Sequence, residues 1–263
     1  MDLVSEFIHN PLMQSLFLGP LMGVLFAALF SGFNSSPEPE APATVVQTRT
    51  IYITKVIDKR QSSKRSDDGM SLLIIGGIAL IFVIWKYAIY FNTILYYLNS
   101  SILTVLSFSV TTILISLIKG QYTSNEWWLY TLVPLLFLFI SLYLLNLAKV
   151  SFDPAIQQGA LNNNLWEFYT DWLDAYGRNF MLAHVGGVAI LALAVLFTAF
   201  LLIHYLSLMN QRSSGMMHKL WFFLAKHTSF FAGKSCAIFI SFLLATAYVL
   251  INPELAATWM TNK

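Results

Sequence analysis

The feature that most constrains this chain is a run of 49 residues, 70–118, that contains a single charged side chain, Lys86. A helix that crosses a lipid bilayer needs about 20 mostly apolar residues, so this run is too long for one crossing. Only 11% of the 263 residues are charged, whereas a soluble domain has about 25%. So few charges cannot cover a surface exposed to water, and we infer that lipid is the solvent for much of the chain.

Apolar stretches of similar length recur along the whole chain and predict its architecture. Four tyrosines gather around residues 92–99, as aromatic residues do at a membrane interface, so we divide the long run there. The predicted fold class is an all-α membrane protein, a polytopic bundle of about six transmembrane helices without a self-sufficient soluble domain. The predicted helices cover about residues 11–33, 71–92, 98–118, 127–148, 180–208 and 230–251.

The distribution of lysine and arginine predicts the orientation of these helices, because cytoplasmic loops of membrane proteins are enriched in both residues. If the 34–70 segment is cytoplasmic, 11 basic residues lie inside and 3 lie outside, with Lys86 within a span. We therefore predict a multi-pass protein of the cell (inner) membrane with both termini outside the cytoplasm. The chain then divides into a first helix with a short external N-terminus (1–33), a cytoplasmic linker and β-rich arm (34–70), helices two to four (71–148), an external loop (149–179), and helices five and six with a basic cytoplasmic loop (180–263).

Small residues on the first predicted helix indicate where another helix can pack. Gly19, Gly23 and Ala27 are spaced four residues apart and lie on one helical face. Small side chains at this spacing let two membrane helices approach closely. The pattern predicts helix packing and does not identify the neighbouring helix.

The most unusual cytoplasmic segment is a short arm, which we define as residues 44–57. Its side chains alternate with a period of two, which predicts a β-strand or hairpin, although a flexible loop with a β-branched bias is the alternative. A lone strand is unstable in water, so the strand needs a partner, either the same strand of a second copy or the sheet edge of another protein. The candidate partner-binding residues of the arm are Arg49, Ile51, Tyr52, Ile53 and Lys55.

An amphipathic helix is predicted outside the membrane for residues 162–178. Its aromatic residues fall on one face, and Glu167, Asp171 and Asp174 fall on another, at i, i+4 and i+7. The three carboxylates form either the mouth of a pore, where they raise the local cation concentration, or a solvated face above an aromatic membrane anchor. The sequence is compatible with both interpretations.

Two polar features lie within predicted spans. Thr104, Ser107 and Thr111 form a hydroxyl stripe on the third helix, which either lines a water-filled path or forms a packing seam between helices. Lys86 is a functional candidate because charged groups within a membrane are costly. Its long stem also allows the ammonium group to reach the interface, which is the simpler interpretation.

Motifs of enzyme, cofactor and metal chemistry are absent: the sequence has no P-loop, dinucleotide-binding glycine motif, HExxH or GxSxG. The single cysteine, Cys236, lies in an apolar run without clustered ligands. His184 and His204 are 20 residues apart on one predicted helix, which places them about 30 Å apart, too far to share a metal ion. We therefore expect no catalytic residue, no cofactor and no metal site. The lack of a basic patch predicts no nucleic-acid partner.

These observations predict a non-enzymatic integral membrane subunit of an oligomeric or multiprotein complex, which anchors a partner in the bilayer, forms a pore, or does both. Small bacterial membrane components of secretion machines and of phage-defence systems share this general build, by analogy of architecture alone. The alternative is an autonomous channel or transporter for a small solute or ion. A third class, an intramembrane enzyme, would have to use the histidines or the carboxylates of 167–174 as acid–base groups. The expected partners are the lipid bilayer and, through the arm, a second copy or another protein.

Overall fold

A computed structural model describes residues 69–118, 127–209 and 216–256 of the chain. Within these ranges 94% of the residues are helical, and no β-strand occurs. Two predicted features lie outside the described residues, and their assignments stay predictions from the sequence. These are the first helix with its Gly19, Gly23 and Ala27, and the arm with its Arg49, Ile51, Tyr52, Ile53 and Lys55.

Seven α-helices of nine residues or more, named α1 to α7 in chain order, form the described part of the chain. They are α1 (Gly69–Ile89), α2 (Phe91–Ile118), α3 (Val133–Ser151), α4 (Pro154–Asn162), α5 (Ala175–Met209), α6 (Met216–Thr228) and α7 (Lys234–Ile251). Shorter turns connect them: a π-helical turn (Trp128–Leu132) precedes α3, a helical turn (Leu165–Glu167) and a π-helical turn (Phe168–Trp172) follow α4, and a 3-10 turn (Ser229–Phe231) precedes α7.

Four helical segments are long and apolar enough to cross a membrane, and they match the third to sixth helices predicted from the sequence. In each of them between 39% and 44% of the residues in the most apolar stretch are buried, and the others keep some accessible surface. α1 is a further apolar helix of 21 residues, and its stretch Gly76–Ile89 is also apolar. The four spanning segments are Phe91–Leu114, Trp128–Ser151, Ala175–Leu208 and Lys234–Ile251.

The division predicted at residues 92–99 between the second and third helices is wrong. α1 and α2 meet at Tyr90 instead, and helical hydrogen bonding continues through the junction. The Tyr90 N–H donates to the Lys86 carbonyl and the Ile94 N–H donates to the Tyr90 carbonyl, both at 2.9 Å. Tyr90 is the single residue between α1 and α2. The two helices are therefore not separated by the loop that we predicted from the sequence.

Asn92, at the start of α2, does not end the helix because its side chain bonds to a residue of another helix. The Asn92 side-chain amide donates to the Gln157 side-chain carbonyl at 3.1 Å, and the Gln157 amide donates to the Ile89 carbonyl at 3.3 Å. Asparagine ends a helix when its side chain competes for its own backbone, and that competition is absent here. Gln157 lies on α4, so α4 holds the junction between α1 and α2.

The single amphipathic helix predicted for residues 162–178 is also wrong. The segment consists of the end of α4, the turns over 165–172 and the start of α5. Leu173, between the last two pieces, is extended, with φ −85° and ψ 119°. Asn164 accepts hydrogen bonds from two backbone N–H groups and caps the turn Leu165–Glu167, whereas the extended Leu173 interrupts the predicted helix.

α5 is the central helix of the described bundle, and it packs against α1, α2, α3, α6 and α7. Its most extensive neighbour is α7, which runs antiparallel to it. Gly187, near the start of α5, faces Ile251 at the end of α7, whereas the ring of Phe197 lies 5.6 Å from that of Phe239, near the start of α7. A Cβ atom on Gly187 would lie 2.7 Å from Ile251 Cγ1, so only glycine allows this close approach.

Gly186 and Gly187 form a matched pair for testing this contact. Gly187→Ala is expected to lower the free energy of unfolding by about 1–3 kcal/mol, because the added methyl group overpacks the contact. Gly186→Ala should leave it unchanged or raise it by up to about 1 kcal/mol, since alanine favours a helix and the new Cβ meets only Leu250 Cδ1, at 3.9 Å. Unfolding of the purified variants in detergent, followed by tryptophan fluorescence, measures both. Equal stabilities would contradict the α5–α7 contact.

Candidate functional site

A fully buried histidine joins three helices at one end of the bundle. His184, on α5, has Nε2 3.0 Å from the Ala148 carbonyl oxygen of α3 and Nδ1 3.0 Å from the Tyr87 hydroxyl of α1. A carbonyl oxygen only accepts, so Nε2 bears the hydrogen, and in the neutral ring Nδ1 accepts from the Tyr87 hydroxyl. Both ring nitrogens are therefore bonded, and one side chain ties α1 and α3 to α5.

The Ala148 carbonyl needs this contact because of its place in α3. It is one of the last four carbonyls of the helix, which lack a donor within the helix. His184 and the Ser151 hydroxyl, which donates at 3.3 Å, both supply one. Around the imidazole, Phe91 and Phe152 stack with their ring centroids 3.7 Å apart, and these rings exclude water from the hydrogen bonds.

The second histidine of α5 binds a different helix. His204 Nδ1 lies 3.0 Å from the Thr228 hydroxyl at the end of α6, and that hydroxyl donates to the Leu224 carbonyl at 2.7 Å. The Thr228 oxygen therefore accepts from the histidine. Tyr205, the next residue of α5, stacks on Tyr130 with ring centroids 5.7 Å apart. α5 is continuous between the two histidines, which confirms that they cannot meet at one metal ion.

The hydroxyl stripe predicted on α2 does not face one common space. Thr104 is exposed and donates to the Ser100 carbonyl at 2.8 Å, whereas Ser107 and Thr111 are buried. A hydroxyl that bonds to the carbonyl four residues earlier is satisfied without water. The change from exposed to buried along the stripe favours the packing-seam interpretation over a continuous path.

The far end of α2 supports the same interpretation. Ser116 accepts from the Trp127 indole N–H at 2.6 Å and also bonds to Tyr205 of α5. Ser109 is fully buried, and its hydroxyl has no hydrogen-bond partner in the part of the chain that the structure describes. These side chains face protein, so α2 uses them at its contacts with neighbouring helices.

The three carboxylates of the predicted external helix are exposed, and each bonds locally. Glu167 accepts from the Asn164 backbone N–H at 3.4 Å, and Asp171 accepts from a neighbouring threonine hydroxyl at 2.8 Å. Asp174 accepts from the Gly177 N–H at 2.6 Å and so caps the first turn of α5. Because the chain is extended between the second and third carboxylates, the three do not form one helical stripe.

Lys86 lies in an aromatic environment near the end of α1. Its ammonium nitrogen is 4.3 Å from the centroid of the Trp85 ring, 5.6 Å from that of Phe82 and 5.9 Å from that of Tyr90. Cation–π contacts of this kind stabilise an ammonium group at the boundary of an apolar region. The arrangement favours the interpretation that the side chain reaches towards the interface.

Two partners of His184 were not anticipated from the sequence. Tyr87 stands beside Lys86 in a group of tyrosines that indicated an interface, and this obscured its role in the core. The sequence does contain one indication of this contact, because a tyrosine and a histidine in apolar helices both need hydrogen-bond partners in lipid. A backbone carbonyl such as that of Ala148 leaves no signal in the sequence.

Comparisons with protein-family models, with curated proteins and with solved structures give no match. Within residues 69–118, 127–209 and 216–256, no group of three or more histidine, cysteine, aspartate or glutamate side chains could hold a metal ion. The function must therefore be inferred from the contacts of the bundle and from its outer surfaces.

The capping role of Asp174 can be separated from the role of its charge. Asp174→Ala should lower the free energy of unfolding by about 1 kcal/mol, because the α5 cap is lost, whereas Asp174→Asn should change it by only a few tenths, since asparagine also caps. Thermal unfolding in detergent measures both variants. A loss with asparagine equal to that with alanine would show that the negative charge matters and the cap does not.

The Tyr87–His184 hydrogen bond can be tested with two tyrosines of α1. Tyr87→Phe should lower the free energy of unfolding by about 1–3 kcal/mol, because buried Nδ1 then lacks a donor. The control Tyr90→Phe removes the same hydroxyl from a side chain that is 52% exposed, and it should have no measurable effect. Chemical or thermal unfolding in detergent provides the comparison. Equal effects of the two changes would rule out the assigned contact.

Proposed function

We propose that this chain is a non-enzymatic integral membrane subunit that anchors an oligomeric or multiprotein complex in the bilayer. The observation that supports this most directly is how the described bundle uses its buried histidines. His184 holds α1 and α3 to α5, and His204 holds α6 to α5. Groups bonded in this way stabilise a fixed scaffold.

The placement of α1 also supports an anchoring role. The middle of α1 is apolar and outward-facing, with Ile78, Leu80 and Val83 all exposed. Its second half is fixed to the bundle through Tyr87 and through Trp85, whose indole N–H donates to the Ala160 carbonyl at 3.2 Å. The arm of residues 44–57 precedes α1 in the chain. A partner held by the arm would therefore be connected to the bundle through α1.

The orientation that we propose places α6 at the cytoplasmic side of the cell (inner) membrane and both termini outside. α6 exposes Phe222 and Phe223 beside Lys219 and Lys226. Aromatic side chains with flanking lysines suit the surface of a membrane that contains anionic lipids. Since cytoplasmic loops are enriched in basic residues, this end of the bundle is the better candidate for the inner side.

The arm is the segment that we propose contacts the partner, and its removal tests the function. Deleting residues 44–57 should convert a large assembly, with a second copy or another protein, into a free monomer. The thermal stability of the bundle should stay unchanged, because α1 to α7 do not include the arm. Size-exclusion chromatography with light scattering, together with mass spectrometry of co-purifying proteins, measures this outcome.

A shuffled arm is the matched control for this deletion. A variant in which residues 44–57 keep their composition but lose their alternation should behave like the deletion if strand pairing is the contact. A full-length chain that purifies alone as a monomer would contradict the proposal, as would partner binding that survives the deletion. Ion or solute flux through liposomes that contain this chain alone would favour the alternative, an autonomous channel or transporter.

A further inference from the structure

An apolar groove lies between α3 and α7, within the parts of both helices that are long and apolar enough to cross a membrane. It has a volume of about 310 Å³. α3 and α7 end on the same side of the bundle, because the Ala148 carbonyl and Ile251 both contact the first part of α5. The groove therefore runs between two parallel helices. Its walls include Phe137, Ile140 and Tyr143 of α3 and Ser241, Ala245 and Tyr248 of α7.

The α7 wall of this groove allows another helix to come close. Ser241 and Ala245 are one helical turn apart, and both are exposed. The Ser241 hydroxyl donates to the Ala237 carbonyl at 2.9 Å, so it needs no further partner. Small side chains at this spacing let the backbone of a second membrane helix approach closely. A helix can therefore pack along this wall without displacing a large side chain.

The α3 wall carries a tyrosine that needs a partner. Tyr143 is 60% exposed, and its hydroxyl has no hydrogen bond among the residues that the structure describes. The residue stands eight positions before Ser151, where the spanning segment ends, or about 12 Å from that boundary. Helical side chains lean towards the N-terminus, which for α3 is away from this boundary. In lipid the hydroxyl therefore needs an acceptor that belongs to protein.

The chain itself has one apolar stretch of spanning length outside the described residues, the predicted first helix of residues 11–33. The segment that follows it, 34–68, has 11 charged side chains. From residue 33 to the start of α1 the chain can extend over about 120 Å, at about 3.3 Å per residue. This exceeds the length of α5, about 52 Å. The first helix can therefore reach any side of the bundle, including the α3–α7 groove.

The small residues of the first helix match those of α7 in depth. With both termini outside, as proposed above, residues 11–33 enter from the side on which α7 ends, and the two helices are antiparallel. Gly19 and Gly23 then lie about 12 and 18 Å from the outer end of their helix, and Ala245 and Ser241 lie about 9 and 15 Å from the end of α7. Each glycine comes within about one turn of a small residue on α7.

Pro20 gives the first helix an acceptor that matches Tyr143. Because proline has no N–H, the carbonyl of Leu16, four residues earlier, lacks its donor in a helix over 11–33. This carbonyl lies about 8 Å from the outer end of the helix, within one turn of the depth of Tyr143. A lipid-facing carbonyl and a lipid-facing hydroxyl are both costly, and one hydrogen bond between them satisfies both.

We propose that the first predicted helix of this chain, residues 11–33, packs in the α3–α7 groove. Gly19 and Gly23 face α7, and the Leu16 carbonyl accepts from the Tyr143 hydroxyl of α3. The register rests on the orientation proposed above, whereas the contact requires neither the arm nor a protein partner. The arm is then fixed to the bundle at both ends, through the first helix and through α1.

Disulfide cross-linking of the full-length chain in vesicles tests the contact, in a Cys236→Ser background without native cysteine. The pair Gly23→Cys and Ser241→Cys should form an intramolecular disulfide, identified by mass spectrometry of the linked peptides. In the control, Gly23→Cys is combined with Phe242→Cys. Phe242 is adjacent to Ser241, is 65% exposed and does not line the groove. Its yield should be lower by about tenfold, because a disulfide needs two Cβ atoms within about 4.5 Å.

Two results would overturn the proposal. The first is an equal yield for the test pair and the control pair at unchanged unfolding temperature. The second is a disulfide between two chains that carry one substitution each, which would assign the groove to the first helix of a second copy. Deleting residues 44–57 should leave the cross-link unchanged. Failure of the proposed function would therefore appear in assembly, and failure of this contact would appear in the cross-link.

A double-mutant cycle tests the hydrogen bond separately. Tyr143→Phe should slow formation of the disulfide by about fivefold, as expected for the loss of one hydrogen bond. In a Pro20→Ala background the Leu16 carbonyl regains a donor within its own helix, so Tyr143→Phe should change the rate by less than about twofold. Equal effects of Tyr143→Phe in the two backgrounds would contradict the assigned hydrogen bond.

Discussion

A polar group buried in a lipid-embedded bundle must find its partner within the protein, and the contacts of His184 show how far this requirement determines the structure. The imidazole needs a donor and an acceptor, and it finds them in the Tyr87 hydroxyl and the Ala148 carbonyl. Loss of either partner leaves one buried ring nitrogen of His184 without a hydrogen bond. The relative positions of α1, α3 and α5 are therefore set by the geometry of two hydrogen bonds.

α5 extends this constraint along the bundle. It has 35 residues, or about 52 Å, and it is fixed near one end by His184 and near the other by His204. Between them, Gly187 allows α7 to pack against it, with no room for a side chain in the contact. Hydrogen bonds at both ends and close packing between them prevent the helix from sliding or rotating. This rigidity supports the anchoring function that we propose.

The interior of the described bundle is used for packing, so the partner that we propose would contact its outer surfaces. Two such surfaces differ in chemistry: the exposed apolar middle of α1, and the basic and aromatic α6. Glu167, Asp171 and Asp174, by contrast, are bonded to backbone or to a neighbouring hydroxyl. Their local capping role explains the acidic residues of that segment without requiring a pore.

The sequence by itself determined that the described part of the chain is helical and contains helices long and apolar enough to cross a membrane, because apolar length is a local property. The same reasoning misplaced the junction at Tyr90, since the partner of Asn92 is Gln157 on another helix, and it joined 162–178 into one helix although the chain is extended at Leu173. Tyr87 and His184 are 97 residues apart in the chain, and Asn92 and Gln157 are 65 residues apart. Only the tertiary structure brings such pairs together, because the partner of a buried polar group is decided by how helices pack and not by the residues beside it.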